Sequence, residues 1–139
     1  MGKLPFRVGG LSMNLKVGIL GGGSWGTTVA SLIARNAPTK MWARNQNTVD
    51  DINNNHCNEK YLPGAKLTPS LRATTSIEEA IHDADVLVMG VPSQVFRRVL
   101  EDAKPFIRPW IPIVSLSKGL ELGTKMRMTQ IIETVMPGH

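Results

Sequence analysis

Cysteine is nearly absent from this chain. Its one cysteine, Cys57, leaves no internal disulfide to form and no CxxC or Cys/His cluster to hold a metal. Cys57 reads as a free thiol in a polar loop rather than as a nucleophile. Paired carboxylates and metal-ligand spacings are missing, so no metal is expected. Long apolar runs are lacking: none approaches the ~20 residues a spanning helix needs, which argues against a membrane span. Met1 to Asn14 has no continuous apolar stretch and no evident cleavage site, so it does not read as a secretory signal. That segment, 1–14, is expected to be a flexible leader, with Met13 as an alternative start. Aromatics are few, at 5%, and the charges giving +5 overall are scattered. Without a basic stripe and interleaved stacking residues, nucleic acid is not an expected partner.

What is present suits one globular domain over 15–139. The hydrophobic fraction is 42% in 139 residues, enough for a sizeable core. Short apolar runs alternate with helix-spaced ones. Leu15–Leu20 reads as a buried strand and Gly26–Arg35 as a helix. Lys40–Ala43 suits a second strand, Thr48–Asn55 a weak helix, and 53–66 a loop. Ser76 and Glu79 have capping-box spacing, with Glu79 expected to reach back to the Ser76 N–H. The helix they open runs to about Ala84. Asp85–Val91 reads as a central strand, Gln94–Lys104 as a helix and Ile111–Leu116 as a strand. Thr124 can cap a last helix whose apolar face is Met128, Ile131, Ile132 and Val135. The alternation predicts an α/β fold: a Rossmann-like, doubly wound parallel sheet with helices on both faces.

Gly21-Gly22-Gly23-Ser24-Trp25-Gly26 contains Gly-x-Gly-x-x-Gly directly between a strand and a helix, the context that gives this motif its meaning. Gly21 permits the tight turn, Gly23 lets a pyrophosphate approach, and Gly26 brings helix and strand together. The helix N-terminus supplies free N–H groups and partial positive charge for phosphates. An NAD site usually carries an acidic residue about 20 positions on. Arg44 and Asn45 stand there instead. Arginine can pair with a 2′-phosphate or stack on adenine, so NADP is expected to be accepted, with NAD open as the alternative. Trp25 has two readings, beside the cofactor or packed under the turn, while Trp42 reads as core. Ligands in such folds sit outside the carboxyl ends of the strands. That places Val91, Pro92 and Ser93 beside the cofactor, and Lys118 where an ammonium can meet the nicotinamide end and an anionic substrate. His56 and His82 lack a positioned partner and read as surface residues.

Gly-Gly-Gly-Ser-Trp-Gly-Thr-Thr-Val-Ala (21–30), Trp-Ala-Arg (42–44), Tyr-Leu-Pro-Gly (61–64), Val-Pro-Ser (91–93) and Ser-Lys-Gly-Leu-Glu (117–121) occur in this order along the chain. Together they resemble the NAD(P)-dependent glycerol-3-phosphate dehydrogenases of bacteria, over about Leu15 to Met136. The resemblance implies reduction of dihydroxyacetone phosphate to sn-glycerol 3-phosphate, a phospholipid precursor, in the cytoplasm. It implies that Ser24, Trp25 and Arg44 contact the cofactor and that Lys118 contacts cofactor and substrate. The family's helical C-terminal domain, which carries its acid/base lysine, is absent here, so no catalytic residue is assigned and the chain alone is expected not to turn over. An apolar docking surface left bare would favour self-association, a homodimer included. Two other readings stand beside this one: a non-catalytic dinucleotide-binding module, and another hydroxy-acid dehydrogenase of the same architecture.

Overall fold

The computed structural model describes residues 6–8, 11–13 and 15–139. Within the first segment, β1 (Phe6–Val8) and β2 (Leu11–Met13) pair antiparallel. The expectation of a flexible leader over 1–14 otherwise lies outside the described residues.

Five strands build the main sheet: β3 (Val17–Leu20), β4 (Thr39–Trp42), β5 (Arg72–Thr74), β6 (Val86–Met89) and β7 (Ile113–Ser115). All pair parallel, in the spatial order β5-β4-β3-β6-β7. The chain therefore winds outward from β3 in one direction, then returns to its other side at β6. That reversal opens a crevice between β3 and β6 at their carboxyl ends. The connecting helices are α1 (Ser24–Ala34), α2 (Gln46–Asp50), α3 (Ile77–Ile81) and α4 (Ser93–Ala103), and α5 (Met128–Val135) comes after the last strand.

Strand side chains alternate between two cores, as the pleat requires. Ile19, Met41, Ala73 and Val88 pack with Ala30 and Ala34 of α1 and with Val49 and Ile52. Leu20, Leu87 and Met89 pack on the other face with Ile81, Phe96, Leu100, Ile131 and Ile132. Helices thus cover both faces, which explains why the strands read as unbroken apolar runs. Gly18 faces α3, where a Cβ would lie 2.7 Å from the Ala80 carbonyl oxygen.

Three details depart from the sequence reading. β5 is a strand that the pattern does not announce, since Arg-Ala-Thr offers no apolar alternation. Pairing supplies it: β4 binds one side, and on the other the Asn53 amide accepts from the Ala73 N–H at 2.8 Å and donates to its carbonyl at 2.9 Å. Asn53 belongs to a widened π turn, Asp51–Asn55, that continues α2. The capping box is half formed. Ser76 Oγ accepts from the Glu79 N–H at 3.1 Å, but the Ser76 N–H goes to Thr74 Oγ1 at 3.0 Å, while the Glu79 carboxylate accepts from the Thr74 hydroxyl. Finally, α5 begins after Arg127, whose N–H donates to Gln130 Oε1 at 2.9 Å, and Thr124 instead closes the preceding turn by accepting from the Met126 N–H.

Phe96 is fully buried in the second core, whereas Leu122 is 79% exposed. Phe96→Ala should cost about 3–5 kcal/mol in urea unfolding, and Leu122→Ala should leave the midpoint within the scatter expected of a surface change.

Candidate functional site

The residues singled out by the sequence converge on one edge of the sheet. Because β3, β4, β6 and β7 are parallel, the segments at their carboxyl ends emerge side by side. These are Gly21–Gly26, Arg44 and Asn45, Val91 and Pro92, and Lys118.

The glycine turn is a close backbone crossing. Gly21 has φ +131°, and a Cβ there would lie 2.6 Å from the Gly90 carbonyl oxygen. A Cβ on Gly26 would lie 2.7 Å from the Gly21 oxygen, and one on Gly90 would lie 3.2 Å from Gly26 Cα. Gly90, just past β6, is therefore a member of the crossing that the linear motif does not reveal. Gly23 differs: nothing stands within 4 Å of its missing Cβ. Gly23 also N-caps α1, with no side-chain hydrogen bond and no acidic residue in the first turn. The first turn of this eleven-residue helix thus has no side-chain cap and no carboxylate to oppose its partial positive charge, and no side chain crowds its start at Gly23. Such a cradle, free of side-chain bulk, fits the diphosphate of a dinucleotide.

Around this cradle Trp25 is 57% exposed, so its ring does not pack beneath the turn. Ser24 Oγ donates to the Tyr61 carbonyl at 2.7 Å, tying the helix start to the Tyr-Leu-Pro-Gly turn. Trp42 is half-buried against the second core, and its Nε1–H donates to the Thr75 carbonyl. Arg44 is exposed and has no ion-pair partner among the described residues. Asn45 caps α2, accepting from the Asn47 N–H at 2.8 Å. Beside it lies a polar cavity of about 410 Å³, lined by Asn45, Asn47, Thr48, Asn58 and Lys60 among others. Asp51 on its wall is internally engaged, by Asn55, the Cys57 thiol and the Glu59 N–H. Those bonds, the Glu59 N–H first, hold its carboxyl below the usual range. The same Asp51 hydrogen bond pushes the Cys57 thiol up, which keeps it protonated and a poor nucleophile. His56 does not fit the simple surface reading: it is half-buried, has a left-handed φ of 55°, and its Nδ1 is buried without a partner among the described residues. His82 is exposed, 3.6 Å from Asp83.

On the other side of the crevice, Val91 is buried and Pro92 opens α4. Ser117 Oγ donates to the Val91 carbonyl, fastening the β7 exit to the β6 exit. Lys118 is exposed and unpaired among the described residues. Its loop is pinned to α4. Arg97 makes two 2.9 Å hydrogen bonds to the Glu121 carboxylate, and Gln94 exchanges bonds with the Leu120 carbonyl and the Leu122 N–H. Arg97, and then the Thr124 hydroxyl, pull the Glu121 carboxyl down to about 2. The sequence pointed to Lys118 and not to Arg97, whose partner Glu121 lies 24 positions away.

A parallel sheet with this reversal and an uncapped glycine-rich helix start define a dinucleotide-binding domain. The family described as the NAD-dependent glycerol-3-phosphate dehydrogenase N-terminus matches residues 16–139, and this chain belongs to that family. Glycerol-3-phosphate dehydrogenase [NAD(P)+] 2 of Sphingopyxis alaskensis is 60% identical over 127 residues, 91% of this chain and 38% of the relative. A Mycobacterium avium relative with the same name, without the number, is 59% identical over 125 residues, 89% of this chain and 37% of its own. This chain therefore spans under two fifths of the length of these relatives. Among solved structures, glycerol-3-phosphate dehydrogenase from Coxiella burnetii superposes with a TM-score of 0.81 at 28% identity, covering 91% of this chain and 38% of that one. The Plasmodium falciparum enzyme gives 0.80 at 28% identity, over 89% and 38%.

Glu121 releases its proton more readily in the folded chain than in the unfolded one, whose carboxyl titrates near 4.5. Its contribution to stability is thus complete above pH 4.5 and lost as pH falls toward about 2. Urea midpoints measured from pH 5 to pH 2 should fall more steeply for the parent than for Glu121→Gln.

Proposed function

We propose that this chain is the cofactor-binding portion of an NAD(P)-dependent glycerol-3-phosphate dehydrogenase, interconverting sn-glycerol 3-phosphate and dihydroxyacetone phosphate. The observation that carries the reading is the open, uncapped N-terminus of α1 behind Gly23, at the reversal of strand order. Gly23, Ser24 and Gly26 would hold the diphosphate by backbone N–H groups, with the helix charge behind them, on the tight turn that Gly21 makes, whose own N–H goes to the Trp42 carbonyl at 3.0 Å. Trp25 would flank the bound dinucleotide. Val91 and Pro92 would line its nicotinamide side, and the bound cofactor would supply or accept a hydride there.

Arg44 and Asn45 are the specificity end. The chain offers no carboxylate at the place where an acidic residue would take a ribose 2′-hydroxyl, and the Asn45 oxygen is already engaged by its helix. The unpaired guanidinium of Arg44 suits a 2′-phosphate, so NADP is accepted alongside NAD. Lys118 would meet the phosphate or the carbonyl oxygen of dihydroxyacetone phosphate, whose charge grows as hydride arrives. A phospholipid-precursor role in the cytoplasm and a homodimer belong to the same proposal, without nucleic acid as a partner. No helix among the described residues is long and apolar enough to cross a membrane.

Tryptophan fluorescence titration of the 139-residue chain should register NADPH and NADH binding. Arg44→Ala should weaken NADPH about tenfold or more, as expected for one charge-assisted hydrogen bond, and NADH by under about twofold. Equal losses for both would remove Arg44 from the 2′-phosphate. The chain alone should bind without reducing dihydroxyacetone phosphate, and measurable turnover would show that these residues suffice for catalysis.

A further inference from the structure

Asn58 lies in the loop between the π turn and Tyr-Leu-Pro-Gly, among several asparagines, yet it is only 1% exposed. Its side-chain amide is fully committed. Nδ2 donates to the Gly22 carbonyl at 3.0 Å and to Thr27 Oγ1 at 2.9 Å, and Oδ1 accepts from the Tyr61 N–H at 3.4 Å. Its own carbonyl accepts from the Leu62 N–H at 2.7 Å, so the turn that presents it is closed. Thr27, its second partner, is fully buried in the first turns of α1. A buried side chain therefore bridges the middle of the glycine turn and the helix beyond it.

The peptide it holds is the one between Gly22 and Gly23. With glycine on both sides, that peptide has little steric resistance to rotating as a unit. Its carbonyl and N–H point in opposite directions because the bond is planar and trans. Fixing the Gly22 oxygen on Asn58 therefore aims the Gly23 N–H away from Asn58. If the peptide turned over, it would present a carbonyl oxygen where an N–H is needed, and a phosphate would meet a like partial charge.

We propose that Asn58 is a positioning residue for diphosphate binding: by holding the Gly22 carbonyl it keeps the Gly22–Gly23 peptide in the orientation that offers its N–H to the cofactor. The inference rests on the dinucleotide reading of the glycine cradle. It needs no contact between Asn58 and the ligand.

ADP and adenosine separate this role from plain structural support, since only ADP carries the diphosphate. In the 139-residue chain, Asn58→Leu, neutral and of similar volume, should weaken ADP and NADH about tenfold or more while adenosine changes less than about twofold. Ile131→Val, which loosens the core without touching the loop, should leave the ADP-to-adenosine ratio unchanged. An unchanged ratio in Asn58→Leu, or a parallel loss for ADP and adenosine, would overturn the positioning role. A parent chain that binds neither ADP nor NADH would overturn the cofactor reading itself. A measurement on the parent covers the case of a variant that does not fold. The Asn58 side-chain amide resonances should exchange slowly with solvent and shift on adding ADP but not adenosine. Rapid exchange, or no shift at saturating ADP, would equally overturn it.

Discussion

The backbone crossing of Gly21, Gly26 and Gly90 is the constraint on which the site depends. At each of the three a Cβ would fall 2.6 to 3.2 Å from another backbone atom of the crossing. No side chain could occupy that space without parting β3 from β6 or lifting α1 off the sheet. Because the three backbones touch, the N-terminus of α1 stands directly above the crevice at the reversal of strand order. A helix terminus loses its influence on charge beyond about one turn, so this placement matters as much as the helix itself.

Around that crossing the structure uses tethers of unequal kind. On one side, the loop bearing Asn58 and Tyr61 is sewn to the glycine turn by neutral hydrogen bonds from Asn58 and Ser24. On the other, the loop bearing Lys118 is held to α4 by a two-pronged ion pair, Arg97 with Glu121. The tether behind Lys118 is thus acid-sensitive, while the bonds from Asn58 and Ser24 to the glycine turn do not titrate; the loop they anchor is braced from within by the Asp51 carboxylate. Between them the exposed groups, Trp25, Arg44 and Lys118, line the same edge with no competing partner among the described residues. They sit on supports fixed by other residues, which leaves their polar ends available.

Local chemistry made much of this legible in the sequence. The glycine turn could be placed because a strand pattern ran into it and a helix pattern ran out. The apolar runs of β3 and β6 pointed to a sheet covered on both faces, and Lys118 stood out by its place after a strand. β5 was hidden, since its three residues have no apolar period and become a strand only through β4 and the Asn53 side chain. Asn58 was hidden among similar residues in a polar stretch, and Arg97 among helix charges. Gly90 looked like the end of a strand.

The sequence by itself determined the features set by neighbours along the chain: the alternation of strands and helices, the glycine turn, and the absence of an acidic residue near Arg44. Only the tertiary structure decided which distant residues hold that turn. Asn58 reaches Gly22 across 36 positions and Arg97 reaches Glu121 across 24. Such partnerships leave no periodic trace, because a single buried hydrogen-bonding side chain is specified by where the fold delivers it and not by the residues beside it.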